Sequence, residues 1–219
     1  MPMLVLAATK GGVGKTTLAA ALAVEASRKS QRVAIVDLDP QQSLARWHEL
    51  RTNETGDAER PALIPVGKYP DEALADAAAG EWDWVIVDCP PGSVRRTDQG
   101  VASADLVLIP SRPSPLDVEA IDVMVELCED RPFLFVLNAT APRSAMTAGA
   151  RQYLASKGDV LDVEITNRQS YASAMILGGT ASEKDGPARA EIAALWEAIV
   201  KRVRLLTKKK LAPKRRLAP

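Results

Sequence analysis

The chain has 219 residues, 47% of them apolar and 26% charged, with 28 basic and 28 acidic side chains. That is enough to bury one sizeable core as one domain, while no apolar run is long enough to span a bilayer. Met1 leads almost directly into an apolar strand, which predicts no secretory signal. Cys89 and Cys128 lack C-x-x-C partners, which suggests neither a zinc site nor a disulfide framework and predicts two reduced thiols in a cytoplasm.

Met3 to Ala8 reads as a buried strand. It runs into Thr9-Lys10-Gly11-Gly12-Val13-Gly14-Lys15-Thr16-Thr17 and then into Leu18 to Ser30, alanine-rich and helically spaced. Strand, glycine loop and helix together hold a polyphosphate: the backbone N–H groups close round the anion and the helix N-terminus adds partial positive charge. Lys15 then neutralises the outer phosphates and the Thr16 hydroxyl ligates Mg²⁺. The usual G-x-x-x-x-G-K-[ST] spacing would put glycine at 9, where Thr9 stands, and a second lysine, Lys10, opens the loop.

This stretch resembles the deviant Walker A motif, KGGxGK[ST], of the ParA/MinD family of ATPases. The resemblance implies ATP and Mg²⁺ as ligands and nucleotide contacts along Lys10, Gly11, Gly12, Val13, Gly14, Lys15, Thr16 and Thr17. It also implies a homodimer in which Lys10 reaches the partner's phosphates, so that Lys10 and Lys15 are both catalytic. The physical case is independent of the likeness. Phosphoryl transfer spreads negative charge, and a cation inserted from a neighbour makes turnover depend on pairing.

Val33 to Asp37 reads as a second buried strand, because β-branched runs without alternation suit a parallel sheet covered on both faces. It ends in Asp37-Leu38-Asp39-Pro40-Gln41-Gln42-Ser43. Two carboxylates beside a phosphate loop suit Mg²⁺ and the attacking water. Asp39 before Pro40 also reads as a helix N-cap. The resemblance assigns Asp39 to hydrolysis, and Asp37 joins Thr16 and Asp88 as candidates for the metal. Leu44 to Arg51 is expected as a helix whose His48, the one histidine, lies on a solvated face. Thr52 to Arg60 reads as a loop, Ala62 to Val66 as a short strand and Asp71 to Ala79 as a short helix.

Trp84-Val-Ile-Val-Asp88 delivers an aspartate at a strand end and resembles a Walker B element, with Mg²⁺ held most readily through water. Asp105 to Pro110 is a further strand, followed by a proline-stiffened loop through Asp117 and a helix over Val118 to Glu129. That loop reads either as turn chemistry or, by resemblance, as a pocket rim facing the partner subunit. Pro132 to Asn138 is a strand whose terminal amide offers a donor and an acceptor for a base edge, and Asn138 resembles the family's adenine-side asparagine. Ala145 to Lys157 reads as a helix and Val160 to Ile165 as the last strand.

The stretch from Ile165 to Gly179, with Asp185 to Arg189 after it, is similar to the small plasmid ParA subgroup typified by ParF. No amino-terminal helix-turn-helix domain precedes the first strand, which predicts no operator-reading activity. A last helix is expected from Pro187 to about Leu206. Residues 1–206 are then one ATPase domain and 207–219 a basic, disordered tail. Residues 201–219 hold nine Lys or Arg and no acid, which leaves the rest of the chain about nine charges negative.

The alternation of strands and helices gives an α/β doubly wound, mostly parallel twisted sheet, a P-loop NTPase fold. The resemblance implies a DNA-partitioning ATPase: an ATP-driven dimer on non-specific DNA, released when a ParB/ParG-like centromere-binding partner stimulates hydrolysis. Arg168, Arg189, Lys201, Arg202, Arg204, Lys208, Lys209 and Lys210 are the candidate DNA contacts, in a cytoplasmic, nucleoid-associated protein. A MinD-like membrane switch is the alternative. The tail's apolar residues beyond Leu206, Leu211 and Leu217, are too few for insertion, so no stable membrane association is expected. A metabolic ATP-dependent enzyme on the same scaffold is the other alternative.

Overall fold

A computed structural model describes residues 1–57, 60–92, 94–114 and 120–211, with side chains to Lys209. Seven parallel strands form one sheet in the order β3-β2-β4-β1-β5-β6-β7. They are β1 (Met3–Ala8), β2 (Val33–Asp37), β3 (Ala62–Ile64), β4 (Trp84–Pro91), β5 (Leu106–Ser111), β6 (Phe133–Thr140) and β7 (Val160–Thr166). Helices connect them: α1 (Lys15–Arg28), α2 (Ser43–Thr55), α3 (Pro70–Ala79), α4 (Arg95–Ser103), α5 (Ile121–Leu127), α6 (Ala145–Lys157), α7 (Gln169–Met175), α8 (Ala181–Lys184) and α9 (Gly186–Leu211).

The strands are apolar without alternation because both faces are covered. Successive residues of β1 feed two separate cores: Leu4 and Leu6 pack under α1 and α9, while Met3, Val5 and Ala7 pack under α3, α4 and α5. The alanines of α1 sit at the centre of the first core, where small side chains let the helix settle close to the sheet. Trp196 of α9 meets Trp84 of β4 edge-on, with centroids 4.6 Å apart. The doubly wound parallel sheet read from the sequence is the sheet observed.

Several local expectations change. Residues 52–55 continue α2 rather than forming a loop, and α2 ends at Gly56 in the left-handed region, φ +70°. His48 is buried against the Pro61 carbonyl at 2.9 Å, not solvated, because α2 packs that face inward. The helix expected over Val118 to Glu129 is described as α5 alone; the loop residues Pro115 and Asp117 lie outside the described residues. The short helices α4 and α7 were not expected, since each buries only a few residues, Thr97, Gly100 and Val101 in α4 and, in part, Tyr171 and Met175 in α7. The last helix runs on to Leu211, beyond Leu206, since its lysine-rich end has no breaker before Pro213. Residues 212–219, the remainder of the expected tail, lie outside the described residues.

Candidate functional site

Every strand order change in an open α/β sheet opens a crevice at the strands' carboxyl ends. β1 lies between β4 and β5, and the loop from Thr9 to Gly14 crosses the sheet there before α1 begins at Lys15. The backbone turns at Gly12 (φ +72°) and Gly14 (φ +96°), where a side chain would be strained. At Gly14 it would also collide, since a Cβ would sit 2.2 Å from Asn138 Nδ2. Thr9, which stands where the usual loop has glycine, donates its hydroxyl to the Ala120 carbonyl at 2.8 Å and so ties the loop to the segment entering α5.

Lys15 is 6% exposed and its ammonium donates to the Lys10 carbonyl at 3.4 Å. Burial lowers its pKa, opposed by the nearby Asp88, Cys89 and Asp39. Lys10 is exposed at the mouth of the loop, and its ammonium has no partner among the described residues. A cleft of about 470 Å³ opens over the loop, lined among others by Gly12, Lys15, Thr16, Asp39 and Arg112. Asn138, Thr166, Asn167, Arg168 and Tyr171 line it too.

Asp37 and Asp88 are opposite each other on paired strands. Asp88 is 1% exposed; one oxygen accepts the Thr16 hydroxyl at 2.6 Å, and the other, Oδ1, has no protein partner. Burial pushes its pKa up to about 7, helped by the neighbouring Asp37. An orphaned, buried carboxylate oxygen beside a threonine hydroxyl at a phosphate loop fits Mg²⁺, which takes one or two protein oxygens and fills its shell with water and phosphate. Among the described residues no cluster of three or more acidic, histidine or cysteine side chains could hold a metal alone.

Asp37 is used differently from the expectation. Its Oδ2 accepts the Leu44 and Ala45 amides at 2.8 and 2.9 Å, and its Oδ1 accepts the Asp39 amide at 3.0 Å. It caps α2 from the preceding strand, a fixed structural acceptor, while burial holds its pKa up. Asp39 is therefore not the cap. It accepts the Gln41 amide at 2.9 Å in a tight turn, Gln42 follows at φ +52°, and α2 starts only at Ser43. That turn leaves Asp39 in the cleft.

Asn138 also differs. Its amide donates to the Val13 carbonyl at 2.6 Å, so it braces the phosphate loop. One N–H of the amide is engaged there, and Asn138 also lines the cleft. Beyond β7, Glu191 of α9 gathers the Thr166 hydroxyl (2.7 Å), Arg168 (2.9 Å) and the Tyr171 hydroxyl (3.2 Å). Burial, then Glu191, raises the tyrosine pKa. Neither Glu191 nor Arg112 was picked out from the sequence. The available signal for Arg112 was its place just past the strand beside β1.

The expected nucleic-acid contacts divide. Arg168 is paired with Glu191 in the cleft wall, and Arg189 donates to the Ser182 and Glu183 carbonyls at 2.8 and 2.9 Å. Both make contacts within the fold, although the Arg168 Nε has no partner among the described residues and Arg189 is exposed. Arg202 pairs with Asp159. Lys201, Arg204 and Lys208 share one exposed face of α9 around a groove that also takes in Lys29 and Leu205, and Lys209 is exposed. The Lys210 side chain lies outside the described residues.

A family model described as the CobQ/CobB/MinD/ParA nucleotide binding domain matches residues 4–205. Maintenance of carboxysome distribution protein A of Halothiobacillus neapolitanus is 36% identical over 184 residues, covering 80% of this chain and 84% of that protein. Protein ParA of Rhizobium radiobacter is 31% identical over 195 residues, covering 82% and 84%. Among solved structures, apo McdA of Cyanothece superposes with a TM-score of 0.73 at 23% identity, over 91% of this chain and 99% of that one.

Proposed function

The chain belongs to the CobQ/CobB/MinD/ParA nucleotide-binding family, and on that premise we propose that it is a ParA-type positioning ATPase. In this reading an ATP-bound homodimer holds non-specific DNA, and a ParB/ParG-like partner that stimulates hydrolysis releases it. The cargo is a plasmid, a chromosome or a protein assembly; the relatives' names speak of carboxysome distribution and of chromosome partitioning. The observation that carries the reading is a pair of lysines at the two ends of one phosphate loop. Lys15 is turned into the fold, and Lys10 is exposed with its ammonium uncommitted.

The loop amides and the N-terminus of α1 hold the phosphates. Lys15, buried at the loop, exchanges the Lys10 carbonyl for phosphate oxygens. Thr16 and the free Oδ1 of Asp88 would hold Mg²⁺, which neutralises phosphate charge. Asp39, left in the cleft by its turn, orients the attacking water. Lys10 crosses to the partner's terminal phosphate and supplies the cation that the transition state requires. Hydrolysis therefore waits for pairing, and turnover is weak in a lone chain.

DNA binding falls to the exposed face of Lys201, Arg204 and Lys208, which contacts phosphates without reading bases. Among the described residues no helix is long and apolar enough to cross a membrane, and the apolar side of α9, with Ile192, Leu195, Trp196 and Ile199, is buried in the core rather than presented to a lipid surface. The test is DNA binding against salt with ATP or ADP, in the parent chain and in a triple alanine variant at 201, 204 and 208. The expected result is binding with ATP only. The triple variant should flatten the log–log salt slope by up to about 0.9 per lost contact. Equal binding with both nucleotides contradicts the reading.

A further inference from the structure

β5 pairs in parallel with β1, Leu6 opposite Leu108. Lys10 follows the end of β1 and Arg112 the end of β5, so both cations come from the carboxyl ends of neighbouring strands. Arg112 is exposed, and its guanidinium has no hydrogen-bond or ion-pair partner among the described residues. It lines the cleft, and a Cβ added to Gly12 would lie 4.0 Å from its Nη2.

Exposed arginines are commonly solvated and inert. This one hangs over the turn of a phosphate loop, where the backbone has no side chain to keep it away. Its position along the loop is also informative. A phosphate-loop lysine marks the outer phosphates, and the Lys15 ammonium sits at the Lys10 carbonyl, two residues from Gly12. Arg112 therefore overhangs the outer-phosphate part of the loop.

We propose that Arg112 is a phosphate-binding residue acting within its own subunit, a planar cation that closes over the terminal phosphoryl group from the β5 side. The inference rests on the nucleotide reading above and adds a discrimination to it. A guanidinium forks onto two oxygens of one phosphate, so a contact to the terminal group separates triphosphate from diphosphate before any pairing occurs. Lys10 then serves the partner, and Arg112 serves the chain's own nucleotide.

The experiment measures ATP and ADP affinity by titration calorimetry with Mg²⁺ in four chains: parent, Lys10→Ala, Arg112→Ala and the double variant. Unchanged thermal unfolding checks that the exposed substitution leaves the fold intact. The expected result is an approximately tenfold loss for ATP on Arg112→Ala, with ADP changed less than about twofold, and the same ratio in the Lys10→Ala background. Arg112→Lys should recover part of the loss. A loss that vanishes without Lys10 places Arg112 across the interface and overturns the assignment. Equal loss for ATP and ADP, or none, overturns it too. A parent chain that binds neither nucleotide refutes the functional reading itself and the inference with it.

Discussion

Asn138 donates its side-chain amide to the Val13 carbonyl across 2.6 Å, so the end of β6 holds the phosphate loop in its open curve. The same amide fills the space that a side chain at Gly14 would need. A brace of this kind acts on every nucleotide alike. Asn138→Ala is expected to weaken ATP and GTP by similar factors, about tenfold each, because one charge-independent hydrogen bond and some loop order are lost. Titration of both nucleotides checks it. A loss confined to ATP would show that the amide reads the base instead.

Asp37 and Asp39, two residues apart, have separate tasks and should fail separately. Asp37→Ala strips three backbone amides of their acceptor. The expected cost is about 2 kcal/mol of unfolding free energy, at the upper end for a lost cap. Asp39→Ala should leave stability within about 0.5 kcal/mol, since only the Gln41 amide loses a partner in exposed backbone. It should keep ATP binding while stimulated hydrolysis falls. Denaturant titration and phosphate release separate the two.

The turn at Gly178 is clamped by α2. Arg51 donates to the Gly178 carbonyl at 3.3 Å, and Trp47 to the Gly179 carbonyl at 2.9 Å. Gly178 has φ +68°, and a Cβ there would lie 2.3 Å from the Arg51 backbone nitrogen. Gly178→Ala therefore combines left-handed strain with a backbone clash and is expected to lose about 2–3 kcal/mol. Gly56→Ala, also at positive φ but with open space around it, should lose about 1 kcal/mol. Paired thermal melts test the ranking.

Glu183 gives a pH signature. Burial pushes its pKa up, but the Arg51 ion pair and the Thr180 amide outweigh it, and the net value lies below the usual 4.5. A carboxyl depressed in the folded state contributes stability above its unfolded pKa, and that contribution is lost as pH falls through the folded value. The parent chain should lose stability on acidification below about pH 4.5, and Glu183→Gln should lose less over the same interval. Urea midpoints across that interval decide it; parallel curves would contradict the assignment.

The sheet was legible because its strands are buried on both faces, so Val33 to Asp37 and Trp84 to Asp88 carry unbroken apolar runs. The phosphate loop was legible because Lys10, Gly14 and Lys15 sit in a spacing that only a phosphate requires. What escaped were pairings between distant positions. Asp37 reaches forward to amides that belong to the next helix, which spacing alone assigns to Asp39. Arg168 meets Glu191 and Arg189 meets the Ser182 carbonyl, contacts between distant or folded-back positions that the sequence does not show. His48 was misplaced because its neighbours Arg46 and Glu49 are polar, yet α2 turns it onto Pro61. The helix α4 was missed because the face it buries is made of Thr97, Gly100 and Val101, with a single large apolar side chain.

If the exposed Lys10 ammonium works on a partner's nucleotide, pairing and hydrolysis must fail together when it is removed. Light scattering coupled to sizing, with ATP or ADP and Mg²⁺, measures it most directly in the parent and in Lys10→Ala. A dimer formed by the parent with ATP alone, absent in Lys10→Ala, and at least about a hundredfold less stimulated hydrolysis in that variant is the predicted outcome. A chain that hydrolyses ATP at full rate as a monomer, or a Lys10→Ala variant as active as the parent, would contradict it.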